Sequence, residues 1–156
     1  MFDILMYLFE TYAQPAACPE SAVLARKLSA AGFEQDYISA ALEWLSGIEN
    51  SAADVEYSNP CRLADPQSLR HYCRAELNRL STDCRGFLYF LESAGAIDSV
   101  LREMIIERAM ALRERTILLD KLKVIVLMVL WRRDQTLDVL LLEELLTAGD
   151  ELRHLH

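Results

Sequence analysis

Three cysteines and one histidine in the middle of the chain are the residues whose types could do chemistry. Zinc accepts a set of this kind, and the sequence offers Cys61, His71, Cys73 and Cys84. On an extended segment, His71 and Cys73 would share a face, because side chains alternate along a strand. The spacings match no common zinc module, however, and Cys84 falls on the apolar face of a predicted helix. We therefore expect free thiols, at Cys18 as well, and no metal or other cofactor.

Signatures of catalysis are missing from the sequence. It contains no glycine-rich phosphate loop, no GxSxG motif and no HExxH motif. Two of the three histidines lie at positions 154 and 156, which leaves His71 as the one candidate for a positioned acid or base. No cysteine, histidine and acid form a recognisable nucleophilic arrangement. The sequence thus favours a binding protein over an enzyme.

Charge is divided unevenly along the 156 residues, whose net charge is −8. Residues 1–60 hold nine acidic and two basic residues, a net charge of −7, whereas residues 61–116 hold eight acidic residues and nine arginines. Five of these arginines are candidates for contact with an anionic partner. The alternative is that they neutralise the acidic first third of the same molecule. The five are Arg62, Arg70, Arg74, Arg79 and Arg85.

Apolar periodicity predicts a mainly α fold, a compact bundle of six to seven helices. The run from Val124 to Trp131 is apolar throughout and is compatible with a buried strand, although Asp120 as a cap favours a helix. Periodicity disappears after residue 48, where two short strands at 55–57 and 69–72 leave room for a β-hairpin between residues 50 and 73. The helical segments are 2–12, 18–32, 34–47, 81–95, 98–112, 120–131 and 136–146, with a short helical piece at 74–80.

We expect these segments to form one compact domain. Residues 1–48 are an acidic helical subdomain, 49–73 a loop or wing-like connection, 74–147 a helical bundle and 148–156 a flexible tail. Within the first part, residues 24–45 resemble a helix-turn-helix, and the hairpin after it would supply a wing. Its second helix carries acids and no Lys or Arg, which disfavours contact with phosphates. A protein-binding or purely structural helical hairpin is therefore favoured, with direct DNA binding as the alternative.

Several apolar side chains near the two ends of the chain are candidates for a protein-interaction surface. They are equally suited to the core, and a second copy of the chain is one form of partner. No apolar run reaches the ~20 residues that span a bilayer, and the first residues lack a secretory signal, so we expect a cytoplasmic protein without membrane contact. The candidates are Phe2, Met6, Phe9, Leu137 and Leu141.

Five blocks spread in order over the chain resemble the Smg family of bacterial proteins. That resemblance implies an intracellular bacterial protein with no assigned activity, ligand or catalytic residue. Gene neighbours of the family include a DNA-processing protein, which keeps the nucleic-acid alternative open. We predict a non-enzymatic cytoplasmic adaptor or regulator that binds another protein through helical surface. The blocks are MFDILMYLFETY (1–12), AGFEQDYISAALEWL (31–45), DCRGFLYFLESAGAI (83–97), REMIIERAMAL (102–112) and LKVIVLMVLW (122–131).

Overall fold

Eight α-helices and one 3₁₀ turn make up the described part of the chain in a computed structural model. The structure describes residues 1–12, 14–57, 70–134 and 138–154. Within these ranges it contains no β-strand, only an isolated bridge between Leu80 and Ile117. The mainly α prediction is confirmed, although the predicted count of six to seven helices is lower than the eight in the described residues. The elements are α1 (Phe2–Thr11), the 3₁₀ turn (Pro15–Ala17), α2 (Ser21–Ala30), α3 (Gln35–Tyr57), α4 (Arg74–Arg79), α5 (Thr82–Ser93), α6 (Ser99–Met110), α7 (Leu119–Arg132) and α8 (Val139–His154).

Helix α7 is the centre of the fold. Every residue from Val124 to Trp131 is buried, and the helix packs against α1, α5, α6 and α8. Because neighbours cover the run from Val124 to Trp131 on several sides, this run has no polar face and its sequence lacks helical periodicity. The helical interpretation of this run is confirmed. Asp120 is not its cap, however: the N-cap is Leu118, and Asp120 lies in the first turn, where a carboxylate favours the helix dipole.

Local chemistry sets several helix ends where the sequence predicts them. Gly32 follows α2 with φ of +97°, a conformation that costs glycine little. Phe33 N–H donates to Leu28 O at 3.2 Å and Gly32 N–H to Ser29 O at 3.0 Å, which completes a Schellman turn. At the start of α5, Ser81 Oγ accepts from the Cys84 N–H.

Two predicted segments are wrong in extent. Helix α3 continues through Tyr57, so residues 55–57 are helical and the loop does not begin at 49. Residues 70–72 have no regular structure, and the β-hairpin is therefore not supported; residues 58–69 lie outside the described residues. No proline or glycine interrupts residues 48–57, and their alanines favour a helix. Helix α8 likewise runs through His154, so the segment predicted as a tail is helical to that residue.

Candidate functional site

The cysteines and the histidine singled out by the sequence are dispersed. Cys84 is buried, and its Sγ donates to Ile117 O at 3.3 Å. Burial raises the pKa of the Cys84 thiol; it also raises the pKa of Cys18, against a smaller opposing effect of Arg132 and Lys27. Both thiols are therefore protonated near neutral pH and are poor nucleophiles. His71 and Cys73 are exposed, and Cys61 lies outside the described residues.

No metal centre is formed by the residues that the structure describes. Nowhere among them do three His, Cys, Asp or Glu side chains converge closely enough to hold an ion. Nor is any described helix long and apolar enough to cross a membrane.

Arg70 is committed to an intramolecular ion network. Its guanidinium donates to both Glu76 carboxylate oxygens at 2.8 Å and to both Glu103 oxygens at 2.6 and 2.8 Å. It also lies over the Tyr72 ring, 4.7 Å from the centroid. Arg102 contacts the same Glu103 and forms a bidentate pair with Glu92. This network joins the segment before α4 to α5 and α6, so Arg70 is a structural residue.

Acidification is expected to weaken this network. The hydrogen bonds from Arg70 hold the pKa of Glu76 below its ordinary value. The pKa of Glu76 is lower in the folded protein than in the unfolded protein, where it is about 4.3. The stabilisation from this carboxylate is therefore complete above about pH 4.3 and is lost as the pH falls toward the folded pKa. Glu76→Gln should therefore lower the free energy of unfolding at pH 7 and flatten its decline below about pH 5. Denaturant titrations at a series of pH values measure both effects.

The matched control for that prediction is Glu143→Gln, which removes a carboxylate from an exposed position on α8. It should retain the pH dependence of the parent protein. If Glu76→Gln also retains it, Glu76 does not contribute to acid destabilisation.

The other candidate arginines have separate environments. Arg79 donates to the backbone carbonyl of Met110 at the end of α6 and to those of Leu112 and Glu114 in the loop between α6 and α7. Arg85 lies 6.0 Å from the Tyr72 ring centroid and donates to Thr82 Oγ1 at 3.2 Å. Arg74 is exposed, and Arg62 lies outside the described residues. The five arginines grouped by sequence thus include at least two that serve the fold.

Two arginines outside the predicted set of five lie beside Arg79. Arg113 and Arg115 are exposed on the loop between α6 and α7. They line an open depression together with Arg79. The charged residues of that loop follow no helical or strand periodicity. The loop lies close to Arg79 because of the tertiary fold.

The predicted apolar interaction surface is mostly packed inward. Met6 is 1% exposed and belongs to the core, because α1 lies between α3, α7 and α8. Phe2, Phe9 and Leu141 are half-buried against the core, and the Phe9 ring meets the Trp131 ring at 6.4 Å. Leu137 lies outside the described residues.

A groove of about 430 Å³ opens where the 3₁₀ turn, α2, α3 and the end of α7 meet. Its floor is apolar: Leu24 and Leu45 are 4% and 5% exposed, and Leu42 is half-buried. Its rim is polar, with Glu20, Ser21, Ser46, Glu49 and Arg132. We call this feature the α2–α3 groove.

The charged residues that line the α2–α3 groove are two carboxylates, Glu20 and Glu49, and one base, Arg132. Arg132 is the basic residue of the lining, and it is paired with Glu49, whose side chain remains 59% exposed. Glu20 is exposed at the start of α2. A groove with an apolar floor and an anionic rim suits an apolar side chain flanked by cations.

Comparison with known proteins identifies the relatives of this chain. The family described as "Protein of unknown function (DUF494)" matches residues 1–156. The chain is 54% identical to a "Protein Smg homolog" of Azoarcus sp. (strain BH72), over 97% of this chain and 96% of that protein. It is 48% identical to one of Bordetella pertussis over the full length of both. The chain belongs to the Smg family. No solved structure matches it.

Membership of the Smg family assigns no reaction to the α2–α3 groove. The family description names no activity, and the relatives' names state no ligand or partner. The shape and chemistry of the groove therefore indicate what it could bind.

Proposed function

We propose that this Smg-family protein is a non-enzymatic cytoplasmic adaptor or regulator that binds another protein in the α2–α3 groove. The observation that carries the proposal is the groove's combination of an apolar floor and a charged, solvent-facing rim. A buried apolar centre inside a polar rim is the usual anatomy of a protein interface. The volume is of the order of a binding pocket, about 300–1,000 Å³.

The groove's electrostatics suggest the chemistry of the bound segment. An aliphatic or aromatic side chain would displace water from Leu24, Leu42 and Leu45. Lys or Arg residues next to it would face Glu20 and Glu49 at the rim. We therefore propose a basic, amphipathic segment as the ligand. Charges at the rim would mainly determine specificity and the rate of association. The apolar anchor would supply most of the affinity.

Two observations on the cysteines support a non-enzymatic binding protein that works in a reducing compartment. The Cys18 thiol, which lines the groove, has a raised pKa because of burial, so it is not activated for nucleophilic attack. Cys18, Cys73 and Cys84 are all free thiols among the described residues, as cytosolic proteins usually have.

Helix α3 gives no support to direct DNA binding. As the second helix of a helix-turn-helix it would have to approach phosphates, and it lacks any cation to release counterions from them.

Filling the groove should weaken partner binding. A photo-crosslinking residue at Ser46, on the exposed rim, is expected to capture a partner in cells that naturally make the protein. With that partner identified and purified, Ser46→Trp should weaken binding about tenfold or more, because the indole occupies the space of the apolar anchor. Calorimetric titration of the purified proteins measures the change.

The same substitution at Ser93, an exposed position on α5 that does not line the groove, is the control. It should leave affinity within about twofold, since isolated surface changes have small effects. Equal crosslinking at positions 46 and 93, or unchanged binding by Ser46→Trp, would show that the groove is not the interface.

A further inference from the structure

The loop between α6 and α7, residues 111–118, is held in place by Arg79. The guanidinium Nη1 donates to Met110 O at 2.7 Å, Nη2 to Leu112 O at 2.5 Å and to Glu114 O at 2.7 Å, and Nε to Glu114 O at 3.1 Å. In the reverse direction, Ile117 N–H donates to Arg79 O at 2.7 Å. These hydrogen bonds fix the loop backbone and therefore the positions from which its side chains extend.

Three arginines and one glutamate meet at this loop. The acceptors of Arg79 are carbonyls, which are neutral, so its charge is not cancelled by them. Arg113 and Arg115 are exposed, and neither has a hydrogen bond or ion pair to any described residue. The one carboxylate on the loop, Glu114, is paired with Lys121 at 2.5 Å. This concentration of cations lies in a protein whose net charge is −8.

The surface between these arginines is an open depression of about 650 Å³. Its lining adds two neutral polar groups, the Asn78 amide and the Thr116 hydroxyl, to the three guanidinium groups. Glu114 also belongs to the lining, and its carboxylate pairs with Lys121. Leu112, the apolar residue of the lining, is buried. The lining contains no aromatic ring on which a base could stack. The depression therefore suits a compact anion rather than an apolar or aromatic ligand.

We propose that this depression, the Arg113–Arg115 site, binds a phosphate group, either free or carried by a small molecule. Arg113 and Arg115 supply forked donors that match phosphate oxygens. Arg79 holds the loop that presents them and adds to the positive potential. A long polyanion is disfavoured, because the acidic remainder of the protein repels it. This site is independent of the α2–α3 groove and of the proposed adaptor function.

Titration with inorganic phosphate tests the proposal directly. At constant ionic strength, phosphate should produce saturable NMR shifts of the Thr116 and Arg115 amides in the intact protein. Arg113→Gln combined with Arg115→Gln should weaken binding about tenfold or more, since two charge-assisted contacts are lost. Phosphoserine as a second probe distinguishes the sources: tighter binding than inorganic phosphate indicates a phosphate monoester, and equal or weaker binding indicates the free ion.

The matched control removes two exposed arginines elsewhere, through Arg26→Gln combined with Arg133→Gln. Net charge changes equally in both double variants, so this control should bind phosphate within about twofold of the parent. An equal loss in the control, the same shifts with chloride, or no saturable shift would overturn the proposal. So would binding of duplex DNA through Arg113 and Arg115 without any binding of phosphate.

Discussion

Arg79→Met is expected to destabilise the protein by about 3 kcal/mol. Methionine retains much of the aliphatic length of the side chain but removes every donor to the α6–α7 loop. The carbonyls of Met110, Leu112 and Glu114 then lose a charged partner, which costs more than the loss of a neutral hydrogen bond. Denaturant unfolding measures the change. Hydrogen exchange at the Ile117 amide, which donates to Arg79 O, reports whether the loop opens locally.

Arg74→Met is the matched control, because it makes the same substitution at an exposed position on the same helix. Its effect should stay within about 0.5 kcal/mol. Arg79→Lys should fall between the two, since an ammonium carries the charge but cannot reproduce the planar fork that reaches several carbonyls. If Arg79→Met and Arg74→Met unfold at the same denaturant concentration, Arg79 does not hold the loop.

Helix ends could be predicted from the sequence wherever a single residue determines the local backbone. Ser81 and Asp98 each accept a backbone N–H two or three residues into a helix, and glycines end α2 and α5 in the left-handed region. These are interactions within five residues of sequence, so no knowledge of the rest of the chain is needed.

The end of α3 could not be predicted in this way. Polar residues and a loss of apolar periodicity after residue 48 are typical of a loop, yet the helix continues to Tyr57. Periodicity reports which face of a helix is buried, so its loss does not by itself mean that the helix ends. Two short β-prone segments were likewise insufficient to predict a hairpin, because strands require pairing that sequence propensity alone does not supply.

Neither candidate site could be predicted from the sequence, because each depends on contacts between segments that are distant along the chain. The α2–α3 groove joins residues 15–24, 42–49 and 132. Arg79 reaches carbonyls 31 to 35 positions away along the chain. Composition correctly indicated that the middle third is rich in arginine. It could not separate Arg70 and Arg79, which have acceptors within the protein, from Arg113 and Arg115, which face solvent.

Leu127→Ala in the central helix is expected to cost about 4 kcal/mol of unfolding free energy. Leu127 is 0% exposed, within a helix that packs against α1, α5, α6 and α8. Because these neighbours are themselves anchored in the core, they can move only partly into the cavity. The loss therefore includes both the transfer free energy of the removed methyl groups and the cost of the remaining void. Equilibrium denaturation by urea, followed by circular dichroism, measures it.

Leu140→Ala provides the control, because it deletes the same atoms from an α8 side chain that is 75% exposed. That variant should unfold within about 0.5 kcal/mol of the parent, since no cavity forms at an exposed site. A large effect at Leu140 together with a small one at Leu127 would mean that α8, rather than α7, supplies the buried surface. If only the Leu127 variant is destabilised, α7 lies at the centre of the core. The same result would mean that α1, α5 and α6 are positioned by packing against α7.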